Sequence, residues 1–572
     1  MLALTEGTQV VLIIAGYLGL LVALGLLSNH FFKGTSADYF VVSRSVGPFL
    51  LLMSIFGTTM TGFAMVGSTG KAYTSGIGVY GLMASWSGLI HSAVFFVIGI
   101  RLWAVGKKFG YVTQCEYFRA RFESPALGYW LFPVLVLLVI PYLLVGVIAA
   151  GKFTQSATAG AFPELFALPE LVGPDGVARP HPLSGGVPFW LGAGVICLIV
   201  LCYVFFGGLR GAVWANTFQT LVFLAAGVVA FALIADRMGG LPQAGRQVAE
   251  SAFGAPRLAR EGLIGHAQFF SYFLIPLSVG MFPHLFQHWL TARSARSFRL
   301  TVIAHPVFIM VLWVPCVLIG LWATAQLGEG ANPNAVLGRM VNQLVQSPLL
   351  TGLVAAGVLA AIMSSLDSQF MCLGTMFTND VVLRLAGRER FGDAQKILLA
   401  RGFILGVVAA TYLLALGLKD TAQVFDLGVW CFSGFAGLFP LVFAAVYWRR
   451  TTRAGALASL AATAVTWVAL FYRDILAGTS KRPGDDELLL FGLMPVAFIF
   501  AASALALVGV SLVTRPPREA TVARFFPGRA SAAGPAPALP QPAVCPQAAD
   551  PSPAGGVARA TTDFGVRVQP PA

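Results

Sequence analysis

The chain has 572 residues, 57% of them hydrophobic and only 11% charged, with a formal net charge of +13. A soluble domain is about half apolar and about one quarter charged, so this composition excludes a soluble enzyme, a nucleic-acid-binding domain and a disordered scaffold. In so apolar a chain the basic excess reads as loop charge on one side of a membrane, and no nucleic-acid partner is expected.

A helix needs about 20 largely apolar residues to cross a bilayer. Runs of that kind fall near 8–28, 47–67, 78–104, 125–151, 186–206, 211–235, 266–290, 300–327, 346–373, 394–417, 420–447, 451–472 and 488–513. They predict an all-α polytopic membrane protein of about thirteen spans. The first run lacks a basic leader and a small-residue cleavage site, so it reads as a retained helix. Residues 1–46 form an extra N-terminal helix and the loop after it. Residues 47–235 and 266–447 form two blocks of five helices, and 451–513 hold two C-terminal helices. The Pro/Ala-rich stretch 515–572 has no apolar periodicity and is expected to be a disordered tail. Lys107, Lys108, Arg119 and Arg121, then Arg293, Arg296 and Arg299, then Arg449, Arg450 and Arg453 fall in alternate loops. That bias predicts the N-terminus outside, the C-terminus cytoplasmic and the whole chain in the plasma (inner) membrane. The seven cysteines include no C-x-x-C pair and carry no functional signal.

Two spans look interrupted. The core of 47–67 reads SIFGTTMTGFAMVG, and that of 266–290 reads YFLIPLSVGMFPHLFQ, with Pro276, Gly280 and Pro283 inside one span. Proline removes a backbone donor and glycine permits the freed geometry. Each interrupted span opens a block of five, and matched breaks in two halves point to an inverted-repeat secondary transporter.

At these residues a family resemblance emerges. DYFVVSRSVGPF (38–49) resembles the D-Y-x-x-x-G-R-S-x-G loop of the sodium/solute symporter family, with Ser43 where glycine is usual. FGGLRGAVWANTFQ (206–219) resembles its G-G-x-x-x-x-x-W-T-D-x-x-Q segment, and AAIMSSLDSQF (360–370) its Ser-rich helix. The resemblance spans roughly 38–450 and implies a LeuT-like 5+5 inverted repeat with two broken helices. It also implies Na+ as coupling ion, held by carbonyls of Gly57, Met60 and Ala361 and hydroxyls of Ser364 and Ser365. Carbonyls freed at a break beside hydroxyls are suited to a hard monovalent cation. On spacing alone, small-residue helix packing is an equal alternative for Ser364 and Ser365, and the resemblance favours sodium.

Buried acids are costly and mark function by default. Asp367 and Asp426 are the two well placed within spans. Some family members build a second cation site from the Asp of W-T-D and hydroxyls of the Ser-rich helix. Here Asn216 replaces that Asp, while Asp367 stands where Ser is commoner. The carboxylate has therefore changed helices, and Thr61, Asn216, Asp367 and Ser368 are the candidate second cation or proton site. The alternative is that Asp367 hydrogen-bonds a neighbouring helix. Asp426 follows an outer loop and could serve a vestibule.

Thr59, Phe282, His284 and Trp430 are the candidate substrate-cavity residues. His284 and His288 stand at i, i+4 but have no third ligand, so no metal beyond Na+ is expected. Packing or interface anchoring is the plainer reading of Trp430. Ala64 and Met83 are apolar where sugar carriers place polar groups, and half-helix N-termini favour an anion. The expected function is sodium-coupled symport of a small organic solute, a carboxylate or amino acid, by alternating access. A proton-coupled carrier using Asp367 and a transporter-derived sensor are the rivals; no signalling domain is recognisable in 515–572. An enzyme is not expected, because no nucleophile–base set lies in the spans. Partners are the solute and the lipid bilayer; oligomeric state is open.

Overall fold

The structure, a computed structural model, describes residues 6–30, 34–172, 178–420, 423–473 and 488–526. Chain order gives α1 Glu6–His30 and a short α2 Ser36–Val41. The first bent pair is α3 Pro48–Thr59 and α4 Phe63–Ser75, followed by α5 Gly78–Phe109. Next come α6 Gln114–Arg121, α7 Pro125–Ala157, α8 Phe189–Arg237 and α9 Leu241–Glu250. The second bent pair is α10 His266–Gly280 and α11 Pro283–Thr291. Then follow α12 Phe298–Leu327, α13 Val336–Leu344, α14 Pro348–Ala386, α15 Asp393–Leu418 and α16 Val424–Tyr447. The order ends with α17 Arg453–Phe471, α18 Pro495–Val513 and α19 Glu519–Phe525.

Ten helices are long and apolar enough to cross a membrane, and the two bent pairs bring the described spans to 12. One further span is hidden in α8. Its 49 residues would reach about 74 Å at 1.5 Å per residue, over twice the roughly 30 Å hydrocarbon core. It breaks at Gly208, φ 55° and ψ −153°, a region essentially confined to glycine. A Cβ there would also meet the Tyr39 ring at 2.5 Å. Helix α2 sits in this elbow, where the Asp38 carboxylate takes Arg210 at 2.5 and 3.2 Å. Counting α8 as two spans gives thirteen, with five from the first bent pair through α8 and five from the second through α16. An odd number of crossings makes the second block enter from the opposite face, which is the LeuT-like inverted repeat.

The core sits around α14 and α16, whose most apolar windows are 83% buried, against 28% for α1, α15 and α18 at the periphery. Ser43 has φ 48°, the left-handed conformation that favours glycine; its hydroxyl donates to Asp38 at 3.0 Å. Two departures from the all-helical, tail-disordered expectation are seen. A two-residue hairpin, Leu171–Val172 with Ala178–Arg179, lies between α7 and α8. Residues 519–525, expected to be disordered, form α19. Phe525 is buried against Phe109 and Tyr117, and Arg524 donates to the Tyr111 hydroxyl at 3.2 Å. Aromatic and arginine anchoring overcomes the local composition. Residues 527–572 lie outside the described residues.

Candidate functional site

Each broken helix is broken for a local reason. Helix α3 ends at Thr59, and Met60 is extended (φ −92°, ψ 101°). Thr61 then caps the second half, its hydroxyl accepting from Phe63 N at 3.0 Å, and α4 opens with a π-type turn over Phe63–Gly67. In the second pair Tyr272–Gly280 is wound as 3₁₀ around Pro276, and Pro283 stands at the first position of α11, where its missing N–H costs nothing. The pairs bend by 56° and 49°.

Behind the first break, α3 lies against the Ser-rich part of α14. Ser364 Oγ is 2.8 Å from Gly57 O and 2.9 Å from Ala361 O. Thr58 Oγ1 donates to Ser364 O at 3.2 Å. A Cβ on Gly57 would meet Thr220 Oγ1 at 2.5 Å, so glycine lets α3 approach α8 this closely. Ser365 Oγ donates to Ile362 O within its own helix at 3.0 Å. The structure thus brings together Gly57, Ala361 and Ser364, with Met60 at the break and Ser365 beside them. Carbonyls and hydroxyls without a fixed charge are a donor set that fits Na+.

One turn further along α14, Asp367 is fully buried in a polar cluster. Its Oδ2 accepts from the Tyr203 hydroxyl at 3.0 Å and its Oδ1 from Ser368 Oγ at 2.8 Å. Asn216 Nδ2 donates to Ser368 Oγ at 3.0 Å, and His288 Nε2 stands 3.0 Å from the same oxygen. His288 Nδ1 is 2.9 Å from Ser54 Oγ. Because Ser368 gives its proton to the carboxylate, we assign the His288 proton to Nε2. Asn216 Oδ1 is buried with no hydrogen-bond partner among the described residues. Three of the four expected residues meet here. Thr61 does not: no hydrogen bond joins it to the other three among the described residues, and its hydroxyl accepts from Phe63 N at the start of α4. Tyr203, from α8 like Asn216, and Ser54 and His288, from α3 and α11, complete the cluster and were not among the residues expected at this site.

In front of the breaks is a cavity with about 30 Å³ of free space. Thr59, Met60 and Phe63 line it from the first break and Tyr272 to Phe282 from the second, with Ser87 and His91 of α5, Tyr142 of α7, Trp313 of α12 and Phe432 of α16. Phe432 is the hub of an aromatic wall, its ring centroid 4.8 Å from Phe63, 5.2 Å from Tyr142 and 5.7 Å from Phe282. Thr59 and Phe282 are in the lining as expected positions. His284 stacks behind it, 5.0 Å from the Phe282 ring. Trp430 faces the other way, against Trp467 and Phe471, and its carbonyl accepts from Trp467 Nε1 at 2.8 Å. At about 100° per residue, Trp430 and Phe432 cannot share a helix face. Asp426 lies in the first turn of α16, beside Phe425, whose ring lies 5.2 Å from the Lys71 ammonium.

Two five-helix blocks of opposite orientation, each opened by a broken helix, with a cavity at both breaks and an oxygen-lined pocket beside them, define a LeuT-fold secondary transporter. The sequence profile described as "Sodium:solute symporter family" matches residues 39–161 and 184–463. The chain belongs to the sodium:solute symporter family. It is a multi-pass membrane transporter, not an enzyme, and it couples movement of a small solute to Na+. The sodium/proline symporter of Staphylococcus aureus (strain JH9) is 24% identical over 530 residues, 89% of this chain and 93% of its own. A solved Na+-coupled sialic acid symporter in a substrate-bound outward-open state superposes with a TM-score of 0.65 at 18% identity, covering 89% of this chain and all but 1% of the other, 99%. Inward-facing Mhp1 gives 0.52 at 14% identity, covering 85% and 96%. At such identities the two structures speak for the fold alone.

Proposed function

We propose that the solute is a small amino acid, or a carboxylate of similar size, carried with Na+ held by Gly57, Met60, Ala361, Ser364 and Ser365. The observation that carries this reading is the cavity at both breaks. Aromatic rings form one wall, hydroxyl and ring N–H groups stand among the rest, and among the described residues the lining holds no Lys, Arg, Asp or Glu. A zwitterion suits such a lining: ring faces attract its ammonium, and neutral donors with half-helix N-termini take its carboxylate. The likeness to a sodium/proline symporter supports an amino acid. The cavity of about 30 Å³ holds little more than a water-sized body, so the helices around it part to admit a solute. That motion is the alternating access.

Asp367, Ser368 and Asn216 form the second cation site in this reading, with the carboxylate on α14 in place of α8. The unpartnered Asn216 Oδ1 supports it. The distribution of Lys and Arg supports an N-terminus outside and a C-terminus in the cytoplasm, in the plasma (inner) membrane. Entry of each uncompensated Na+ is then driven by about 2.3 kcal/mol per 100 mV.

The test is uptake into proteoliposomes under an imposed sodium gradient, with the twenty L-amino acids, lactate and pyruvate as labelled solutes. The expected result is accumulation of one group of them with NaCl outside and none with KCl. Uptake driven by a pH gradient without Na+ would transfer the coupling to protons. Failure of every solute would overturn the substrate class.

A further inference from the structure

That reading leaves open which of the neutral donors in the cavity wall meets the carboxylate. His91 on α5 and His305 on α12 are buried, and His91 Nδ1 stands 3.2 Å from His305 Nε2. Their helices are the second spans of the two blocks, so the pair joins the blocks at equivalent places. His305 is held edge-on by Phe56 and Phe95, with ring centroids at 5.3 and 5.0 Å. His91 lines the cavity, as does Ser87 one turn before it, and residues four apart share a helix face. Trp313 Nε1, in the same lining, is buried without a hydrogen-bond partner among the described residues.

The contact between the two imidazoles needs one N–H and one bare nitrogen. His305 Nδ1 is buried and has no hydrogen-bond partner among the described residues. Orphaned buried N–H groups are rarer in proteins than orphaned acceptors, so Nδ1 is the bare nitrogen and Nε2 carries the proton. His305 therefore donates to His91 Nδ1. The His91 proton is then on Nε2, the ring atom left for the cavity. The hydroxyl of Ser87, this N–H and the Trp313 N–H are three neutral donors in one lining that has no Lys, Arg, Asp or Glu among the described residues.

We propose that His91 is a solute-binding residue whose Nε2–H, with the Ser87 hydroxyl, receives the carboxylate of the transported solute, and that His305 is a positioning residue that holds His91 in this tautomer. The inference rests on the reading of the solute as a carboxylate. Neutral donors accept an anion without creating a buried cation, so the balancing charge is left to the co-transported Na+.

The experiment measures competition for uptake in proteoliposomes by the best solute of the panel above and by its carboxamide, in wild type, His91→Phe, His91→Gln and His305→Phe. A hydrogen bond to a charged group is worth at least one tenfold step in affinity. His91→Phe should therefore lower the acid-over-amide preference at least ~10-fold. His91→Gln, whose side-chain amide can present an N–H near the former Nε2, should keep the preference within ~3-fold. His305→Phe should shift it in the same direction as His91→Phe, and the double variant should be no worse than His91→Phe alone. Sodium-induced thermal stabilisation in each variant reports that it is folded. An unchanged preference in folded His91→Phe overturns this proposal while leaving the amino-acid reading intact. Failure of the wild type to take up any panel solute overturns that reading and this proposal with it.

Discussion

Ser364 Oγ donates to Gly57 O across 2.8 Å, joining the Ser-rich helix to the turn before the first break, 307 residues away in sequence. A cation between these groups would replace a hydrogen bond that already holds the two helices together. Occupancy is therefore read as added cohesion between α3 and α14.

Ser364→Ala removes that oxygen. In the wild type, Na+ at about five times its Kd should add ~1 kcal/mol to the folded state. The variant should show a smaller difference between NaCl and KCl at equal ionic strength, by the share owed to this site. Differential scanning fluorimetry in detergent measures it, and a sodium-specific shift as large as in the wild type would remove Ser364 from the ligand set.

Asp367→Asn keeps the size of the side chain but removes the charge a second cation needs. The dependence of uptake on sodium concentration should change from sigmoidal to hyperbolic. Tyr203→Phe, which removes only one donor to the carboxylate, should leave the curve sigmoidal while costing about 1 kcal/mol of stability. Identical curves for wild type and Asp367→Asn would assign the acid to packing.

At one face of the bundle, Lys152 of α7 meets Asp420 after α15 at 2.7 Å, with Lys419 at 3.3 Å. The hydrogen bond from Lys152 holds the Asp420 carboxyl below the usual carboxylate range. A carboxyl lowered on folding stabilises the protein above its unfolded pKa of about 3.9, and the gain is lost as pH falls through the folded value. Asp420→Asn should therefore melt below wild type at pH 7, and the two should converge as pH falls below about 3.9 and through the lowered folded value. Melting curves across this range decide it; a constant difference would mean that the charge pair is not the cause.

Phe432 and Trp430 sit two residues apart but face different partners. Phe432→Ala takes away the hub of the cavity wall and should raise the KM for solute at least ~10-fold. Trp430→Ala should instead lower stability by about 3 kcal/mol through lost packing on α17, with KM within ~2-fold of wild type. Uptake kinetics beside thermal denaturation separate the two; a KM effect in Trp430→Ala without destabilisation would return that residue to the cavity.

Much of the scaffold is legible before folding because the bilayer imposes a length rule that the apolar runs obey. The breaks are legible because Gly57, Gly62, Pro276 and Pro283 are local signals. What local signals do not encode is which way a side chain faces once helices pack. Thr61 is adjacent to the break in either reading, and only the fold commits its hydroxyl to Phe63 N. The choice between Trp430 and Phe432 needs the position of α17. His91 and His305 are 214 residues apart, and no spacing in the chain announces their contact. The α19 anchor was hidden for a similar reason: Phe109 and Tyr117, which hold Phe525, lie some four hundred residues earlier.

The elbow at Gly208 has a consequence for anyone altering the chain. The connection between α7 and α8 is long enough to lengthen further. At the elbow one crossing runs into the next through a single residue, with Tyr39 filling the corner. An epitope inserted at this corner should abolish folding. The same epitope placed in 158–187, a connection already 30 residues long, should be carried on a working transporter. The two spans of α8 thus form one continuous brace within the first block.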